Sequence, residues 1–480
     1  MADRTYINIL DDDSLLQIFS CYWLEDEDNL NLRCSWMRLT HVSQRWRCLI
    51  YSSLSHLDIY LLLTNNSPSL DALSHLPPLP LVINYSYGTR TISRKDQDNM
   101  ELVLQQQGLV RGIAIQAPSS SLQILLELMK TPFTRLKYIY LVSTSAEISL
   151  TLPDTLQVPF LSRLSLHGVG FSKGLSSISS MTSLSSLSLT DIRDPCYFPL
   201  KHLITQLQGL LYLEELSIGF SISMPLPSSE GEPLPAPILP VTLRALKWLT
   251  FRGVDVYIEN FVAQINAPLL ARLRLTLLLD LDFTLVHMTE FMHRTEGFGY
   301  ITAQVIFNKD GTSINMGHDE KLDIWKLSLQ VNCLPLDCKI YSAMQVCGAL
   351  GNVLFTVENL RLDLDVDGMP SDWKSTLDSM SWYELLFPFI GVKKLHIGSS
   401  LTFELAQALG SYSGGLVQEL LPELQELEVQ LDIDNAEEVF STFLKTRKSA
   451  GHSVRLKVSF SSSHTNTNPQ LPVLRLFLGL

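Results

Sequence analysis

The segment Leu161-Ser162-Arg163-Leu164-Ser165-Leu166 returns almost unchanged as Leu184-Ser185-Ser186-Leu187-Ser188-Leu189. Both carry apolar anchors at i, i+3 and i+5. The spacing recurs upstream as Phe133/Leu136/Tyr138. Downstream it recurs as Leu213/Leu216/Ile218, Leu246/Leu249/Phe251, Leu270/Leu273/Leu275, Ile324/Leu327/Leu329, Val357/Leu360/Leu362, Val392/Leu395/Ile397 and Leu424/Leu427/Val429. Successive copies lie mostly 23 to 35 residues apart, as their numbers show. The last two anchors of each copy alternate, which turns one face of a short strand toward a core. Helical runs precede several copies, such as Leu122 to Met129, His202 to Leu211 and Ile258 to Ile265.

A repeated strand–helix unit cannot bury its apolar face alone, so its copies must stack. This is the signature of a leucine-rich repeat array, with a chance Leu-rich α/β sequence as the alternative. The fold class expected is therefore α/β: a curved repeat solenoid over residues 110–480, with parallel strands inside and helices outside. The asparagine usual after the strand is missing, since Val169, Ile192 and Val254 stand there. The wide gap between Leu270 and Ile324 leaves room for a degenerate copy at Tyr300, Ala303 and Val305. Weaker echoes sit at Leu456/Val458 and Leu471/Leu474/Leu476. A Pro-rich loop is expected at residues 224–240 and a Ser/Thr/Asn tract at Ser459 to Asn468.

Composition narrows the class further. The 480 residues are 46% hydrophobic and 18% charged, with a formal net charge of -13. That balance excludes general disorder and argues against a nucleic-acid coat. Seven cysteines, an odd number, fit a reducing compartment better than a disulfide framework. Met1 to Leu10 lacks the apolar run of a signal peptide, and no stretch reaches the length of a membrane span. The expectation is an intracellular, soluble protein of the cytoplasm or nucleus, with no membrane or nucleic-acid partner.

The first fifty residues differ from the rest. Asp11, Asp12 and Asp13 open a helix on which Leu15, Ile18, Phe19 and Tyr22 form one stripe, with Leu16 and Trp23 beside it. A second helix, expected from about Trp36 to Tyr51, places Trp36, Leu39, Val42, Trp46 and Leu49 on one side. So small a segment buries little by itself, so the extra apolar face meets either a partner or the rest of this chain.

Leu10-Asp11-Asp12-Asp13-Ser14-Leu15-Leu16-Gln17-Ile18-Phe19 resembles the opening block of the F-box. Leu39-Thr40-His41-Val42-Ser43-Gln44-Arg45-Trp46-Arg47 resembles its closing block. Asp11 replaces the usual proline and Ser14 the usual apolar residue. The acidic insert Glu25 to Asp28 lengthens the gap between the blocks. With Asp28 to Arg33, the arrangement is similar to the expanded F-box families of mushroom-forming fungi. The likeness covers about the first tenth of the chain.

The resemblance implies an F-box module at residues 1–52, a connecting segment at 53–109, and the repeat array beyond. It implies a substrate receptor of a cullin-type ubiquitin ligase, itself without catalytic residues or cofactor. A Skp-type adaptor, and through it a cullin, would dock on a set drawn from Leu10, Leu15, Leu16, Ile18, Phe19, Val42 and Trp46. By their shared stripes, Ile18, Phe19 and Trp46 belong chiefly to the internal core, leaving Leu10 and Leu16 for the partner. A repeat-only scaffold is the alternative, and a hydrolase hidden in an α/β fold a second.

Sequence motifs for chemistry are lacking. Cys333, Cys338 and Cys347 have no Cys-x-x-Cys spacing, and His287 and His293 are wrongly spaced for one helical face, so no metal is expected. No phosphate loop or nucleophile elbow is present. Asp363, Asp365 and Asp367 alternate along a strand and read as a solvated strand end rather than a cation site. Between the anchors, Trp248, Arg252, Arg272, Arg274, Lys326, Arg361, Lys394 and His396 should line the other sheet face. Of these, Trp248, Arg252, Arg272, Arg274, Arg361 and His396 are the candidate substrate contacts. A basic strip on an acidic protein fits an acidic or phosphorylated protein ligand, though ordinary solvated strand residues would look the same.

Overall fold

The computed structural model describes residues 9–24, 36–54, 57, 59–64, 79–86, 92–129, 132–145, 149–221, 240–278, 285–295, 299–318, 325–332, 336–365, 379–411, 420–430 and 436–459. The protein is mixed α/β, with mostly parallel strands and helices. It divides into two compact units, within Met1–Tyr197 and Phe198–Asn466. The boundary therefore falls between two repeats, not at the end of the helical module.

The first unit opens with α1 (Asp12–Leu24), α2 (Trp36–Thr40) and α3 (Gln44–Ser52). The expected second helix is thus two. His41 and Val42 form a turn, and Ser43 caps α3 by accepting the Trp46 N–H at 3.1 Å. A serine at that position ends one helix and starts another, because its hydroxyl replaces a missing intrahelical acceptor. There follow β1 (Leu61–Leu63), β2 (Leu81–Tyr85), α4 (Arg94–Leu104), β3 (Val110–Ala117), α5 (Ser119–Leu128), β4 (Tyr138–Ser143), β5 (Leu150–Leu152), β6 (Arg163–His167), β7 (Val169–Leu175) and β8 (Ser186–Ile192). The strands β1-β2-β3-β4-β6-β8 lie in that order, every pair parallel. Residues 53–109, read from sequence as a connection, thus contribute two strands and a helix to the layer. Behind β4 to β8 the short pair β5–β7 takes the place of expected helices.

The second unit contains α6 (Leu200–Leu207), β9 (Glu215–Phe220), β10 (Val241–Thr242), β11 (Trp248–Gly253), α7 (Asp255–Ala263), β12 (Ile265–Asn266), β13 (Arg272–Leu278), α8 (Val286–Arg294), β14 (Thr302–Asn308), β15 (Gly311–Gly317) and β16 (Leu327–Asn332). It continues with α9 (Leu336–Leu354), β17 (Asn359–Leu364), α10 (Ser379–Leu386), β18 (Lys394–Ile397), α11 (Thr402–Ser411), β19 (Glu426–Gln430), α12 (Ala436–Val439), α13 (Ser441–Ser449) and β20 (Arg455–Ser459). Strand order is β9-β11-β13-β16-β15-β14-β17-β18-β19-β20.

The anchors behave as one rule. Leu161, Leu164 and Leu166 are buried, and so are Leu184/Leu187/Leu189, Leu213/Leu216/Ile218 and Val392/Leu395/Ile397. Rungs repeat as well: Ser185 N–H donates to Ser162 O, and Ser162 N–H to Lys137 O, each at 2.8 Å. The structure adds a fourth anchor three residues upstream. The Leu161 N–H donates to Val158 O, Leu184 to Met181, Leu246 to Leu243 and Val392 to Phe389, and each acceptor residue is buried. This turn corrects one triplet. Phe133 is the upstream anchor of a copy Leu136/Ile139/Leu141, and Tyr138 points to the other face, its ring where a Cβ on Gly112 would lie.

The second unit also departs from simple sequence order. The degenerate copy is present: Tyr300, Ala303 and Val305 are buried, and Ala303 and Val305 pair with Leu360 and Leu362. It lies out of turn, however. β16 pairs with β13 in parallel, and β15 runs antiparallel to both β16 and β14. All-parallel order is thus broken by one reversed strand. The turn that reverses it is local: Asn308 Oδ1 accepts the N–H groups of Asp310 and Gly311, each at 3.0 Å. Ile324, expected as an anchor, lies outside the described residues, as do the Pro-rich segment 224–239 and the tail echo at Leu471/Leu474/Leu476.

Candidate interaction surfaces

In the helical module, Asp11 caps α1. Its Oδ1 accepts the Ser14 N–H at 2.7 Å, and those hydrogen bonds hold its carboxyl below the usual range. Leu15, Phe19, Trp46 and Ile50 are buried, with Phe19 and Trp46 edge to face at 4.9 Å between centroids. Arg45 ties the ends together, bonding Asp12 Oδ1 at 2.6 Å and Leu10 O at 2.7 Å. Leu15, Phe19 and Trp46 therefore form the internal core and present no docking surface. Leu10 and Leu16 are half-buried. Ile18, assigned by its stripe to the core, is 45% exposed, and Val42, in the turn, 58%. Ile9 is 72% exposed and was not singled out by periodicity. Three helices this short cannot enclose every apolar side chain, and these three are left in water. The Tyr22, Trp23 and Trp36 side chains lie outside the described residues.

On the second unit's outward strand face the basic strip divides in two. In the rows of β11, β13 and β16, Trp248 stands beside Arg272, and Thr250 beside Arg274 and Ser328. The Arg272 guanidinium lies over the Trp248 ring, 5.6 Å from its centroid. Arg252, Arg272 and Arg274 are exposed and, among the described residues, pair with no carboxylate. Burial holds the Lys326 ammonium below its ordinary value. These side chains form a cationic, aromatic-edged patch able to hold carboxylates or phosphates.

From β17 onward every one of the proposed cations has a carboxylate neighbour. Arg361 Nε meets Asp363 Oδ2 at 2.6 Å, where Gln304 also donates at 2.9 Å. Lys394 lies 3.1 Å from Glu428 and 3.7 Å from Glu426. His396 Nδ1 is 3.7 Å from Glu428, yet burial first, then Arg361 and Lys394, hold its pKa down. Its imidazole is therefore neutral at pH 7. Arg361, Lys394 and His396 belong to a neutralised ladder and not to a continuous basic strip. Asp363 reads from sequence as part of a solvated strand end, and Glu426 and Glu428 went unweighed, although the Glu-Leu-Glu-Val alternation shows those two on the same face.

Among the described residues no three His, Cys, Asp or Glu side chains gather to hold a metal ion. Cys347 is buried, its thiol pushed up to about 12 by burial. Cys333 and Asp367 lie outside the described residues, as does the Cys338 side chain. His293 is exposed, and His287 lies 3.5 Å from Glu290. No described helix is long and apolar enough to cross a membrane. No protein-family model matches the chain, and no curated protein matches it significantly.

Proposed function

We propose that the chain is a substrate receptor of the Skp–cullin–F-box type. In this reading α1 to α3 hold a Skp-type adaptor and the repeat solenoid holds a protein substrate. Ubiquitin transfer follows from proximity, with no reacting group or cofactor on this chain. The observation that carries the proposal is the apolar set Ile9 before α1, Ile18 on α1 and Val42 in the turn before α3, all exposed on a module whose Leu15, Phe19, Trp46 and Ile50 are already buried. The F-box-like blocks on the same helices supply the class of partner. The patch of Trp248, Arg252, Arg272 and Arg274 is the substrate contact best fitted to an acidic or phosphorylated segment.

The test is co-purification of the full chain with a Skp-type adaptor, using Ile18→Asp with Val42→Asp. Burying an aliphatic side chain is worth ~1.5–3 kcal/mol, so the double variant should bind at least about tenfold more weakly. Its thermal unfolding should match the parent, because both positions are exposed. Undiminished capture by the variant sinks this surface. A parent that captures no adaptor sinks the ligase reading and leaves a repeat scaffold.

A further inference from the structure

The last strand of the second unit carries a pattern that calls for one more neighbour. On β18 the outward positions are Lys394 and His396, on β19 Glu426 and Glu428, and on β20 Arg455 and Lys457, all in register. Sign alternates from Lys394 through the two glutamates to Arg455 and Lys457, and the rows close on each other. Lys394 reaches Glu428 at 3.1 Å and Lys457 reaches Glu426 at 2.8 Å. Arg455 and Lys457 are exposed, with an acidic row on one side only.

The inward positions agree. Leu427 and Val429 on β19 are buried, as the anchors of earlier strands are. Their register partners on β20 are not: Leu456 is half-buried and Val458 is 40% exposed. The Arg455 N–H donates to Gln425 O at 2.9 Å. The alternation of a parallel ladder then turns the N–H and C=O groups of Leu456 and Val458 outward. Among the described residues no strand pairs with that edge. The contrast is β1, the first strand of its own unit, whose three leucines are all buried.

We propose that β20 is a docking edge for an extended acidic–apolar segment of another protein, added as a further parallel strand. Asp or Glu would stand beside Arg455 and Lys457, and apolar side chains would cover Leu456 and Val458. Cations on a strand edge deter ordinary strands, so the same residues that protect this edge make it selective. Two other occupants fit worse. A second copy's β20 would bring Arg455 and Lys457 against the same two cations. The chain's own run Leu471-Pro472-Val473-Leu474-Arg475-Leu476, placed anchor on anchor, would set Arg475 beside Lys457. Like charges directly opposite destabilise pairing.

The probe is a labelled, end-capped peptide of alternating glutamate and valine, titrated against the full chain by fluorescence anisotropy. A lysine–valine peptide is the control. The chain's net charge of -13 draws the lysine peptide at long range, so a preference for glutamate is no bulk charge effect. Because the patch of Arg252, Arg272 and Arg274 also attracts glutamate, it is the variants of β20 that report the edge itself. Saturable binding of the glutamate peptide is expected, at least about tenfold tighter than the control. Val458→Pro removes an outward N–H and should abolish binding. Arg455→Glu with Lys457→Glu should reverse the preference. Equal binding of both peptides, binding unchanged by Val458→Pro, or concentration-dependent dimers lost in Val458→Pro would each overturn the proposal. If Val458→Pro loses its fold by circular dichroism, the charge reversal decides alone. No adaptor enters this experiment, so its failure leaves the receptor reading untouched.

Discussion

The strand faces of the two units follow the same inward pattern and have different exteriors. In the first unit the outward rows of β4, β6 and β8 read Tyr138, Arg163, Ser186 and then Tyr140, Ser165, Ser188. They are mostly hydroxyl and aromatic. In the second unit the corresponding rows carry arginine, lysine, histidine and glutamate, with no carboxylate partner among the described residues at Arg252, Arg272 and Arg274 and with one at Arg361, Lys394 and Lys457. Inward, both units repeat the same leucine rungs. Burial in the apolar core constrains half of each strand in the same way in both units. The other half, from the buried Ser165, Ser186 and Ser188 to the exposed Arg252, Arg272 and Arg274, is free to differ because a polar side chain there needs only a hydrogen-bond partner or water. Recognition, wherever it occurs, is written in that second half.

The most forceful way to break this comparison is to strike the inward pattern that each unit repeats. Leu164→Ala in the first unit and Leu395→Ala in the second should each cost ~2–5 kcal/mol, read by urea denaturation. Comparable losses support the same kind of interior in each unit; a tolerated change in either unit shows that its rungs do not carry the fold.

Next comes the reversed strand, the feature the second unit alone possesses. A Cβ on Gly311 would meet the backbone carbonyl oxygen of Val331 at 1.9 Å, an atom that no side-chain motion can clear. Gly311→Ala should therefore cost on the order of 1–3 kcal/mol and raise amide exchange in the β14–β15 hairpin and in β16, which holds Val331. Unchanged exchange there would mean that the hairpin tolerates the close approach after all.

A third change probes how neighbouring helices of the second unit are held. Glu259 is buried and accepts the His287 N–H at 2.8 Å and the Met288 N–H at 3.0 Å, capping α8. Glu259→Ala leaves those donors unsatisfied and should cost about 1–3 kcal/mol. Burial raises the carboxyl's pKa, against the pull of the two N–H groups. A raised folded pKa makes the ionic form the costly one. Stability tied to it is present at low pH and lost as pH rises through the folded value. The variant's deficit should therefore be larger below that value than above it, in melts across pH 4 to about 8.

The smallest effect belongs to the helical module. Asp11 has a lowered pKa, so its contribution is present above the ordinary aspartate value and is lost as pH falls through the folded one. Asp11→Ala should lower module helicity slightly at neutral pH, and the difference from the parent should vanish in acid. A difference that persists at pH 2 would mean that the carboxylate charge is not what caps α1.

Much of this was legible in the chain because burial leaves a period. The i, i+3, i+5 anchors located β6, β8, β9, β11, β13 and β17 to β19, and the Asp11 cap located the start of α1. The first strands were missed because Val110, Ile113 and Ile115 keep the spacing without leucine. Tyr138 was taken for an anchor because one aromatic reads like another until the turn from Phe133 fixes the frame. Ile18 was placed inside because a stripe on a helix is wider than the neighbour that covers it.

The sequence by itself determined which residues face inward, since the pattern of apolar side chains and the pleat of a strand leave one arrangement that keeps them dry. Only the tertiary structure decided which strand lies beside which. Register and order depend on contacts between residues far apart in the chain, and a local period carries no record of them. That is why the reversal of β15, the neutralisation of Arg361 and Lys394 by acids on neighbouring strands, and the uncovered edge of β20 became visible only once the strands were placed side by side.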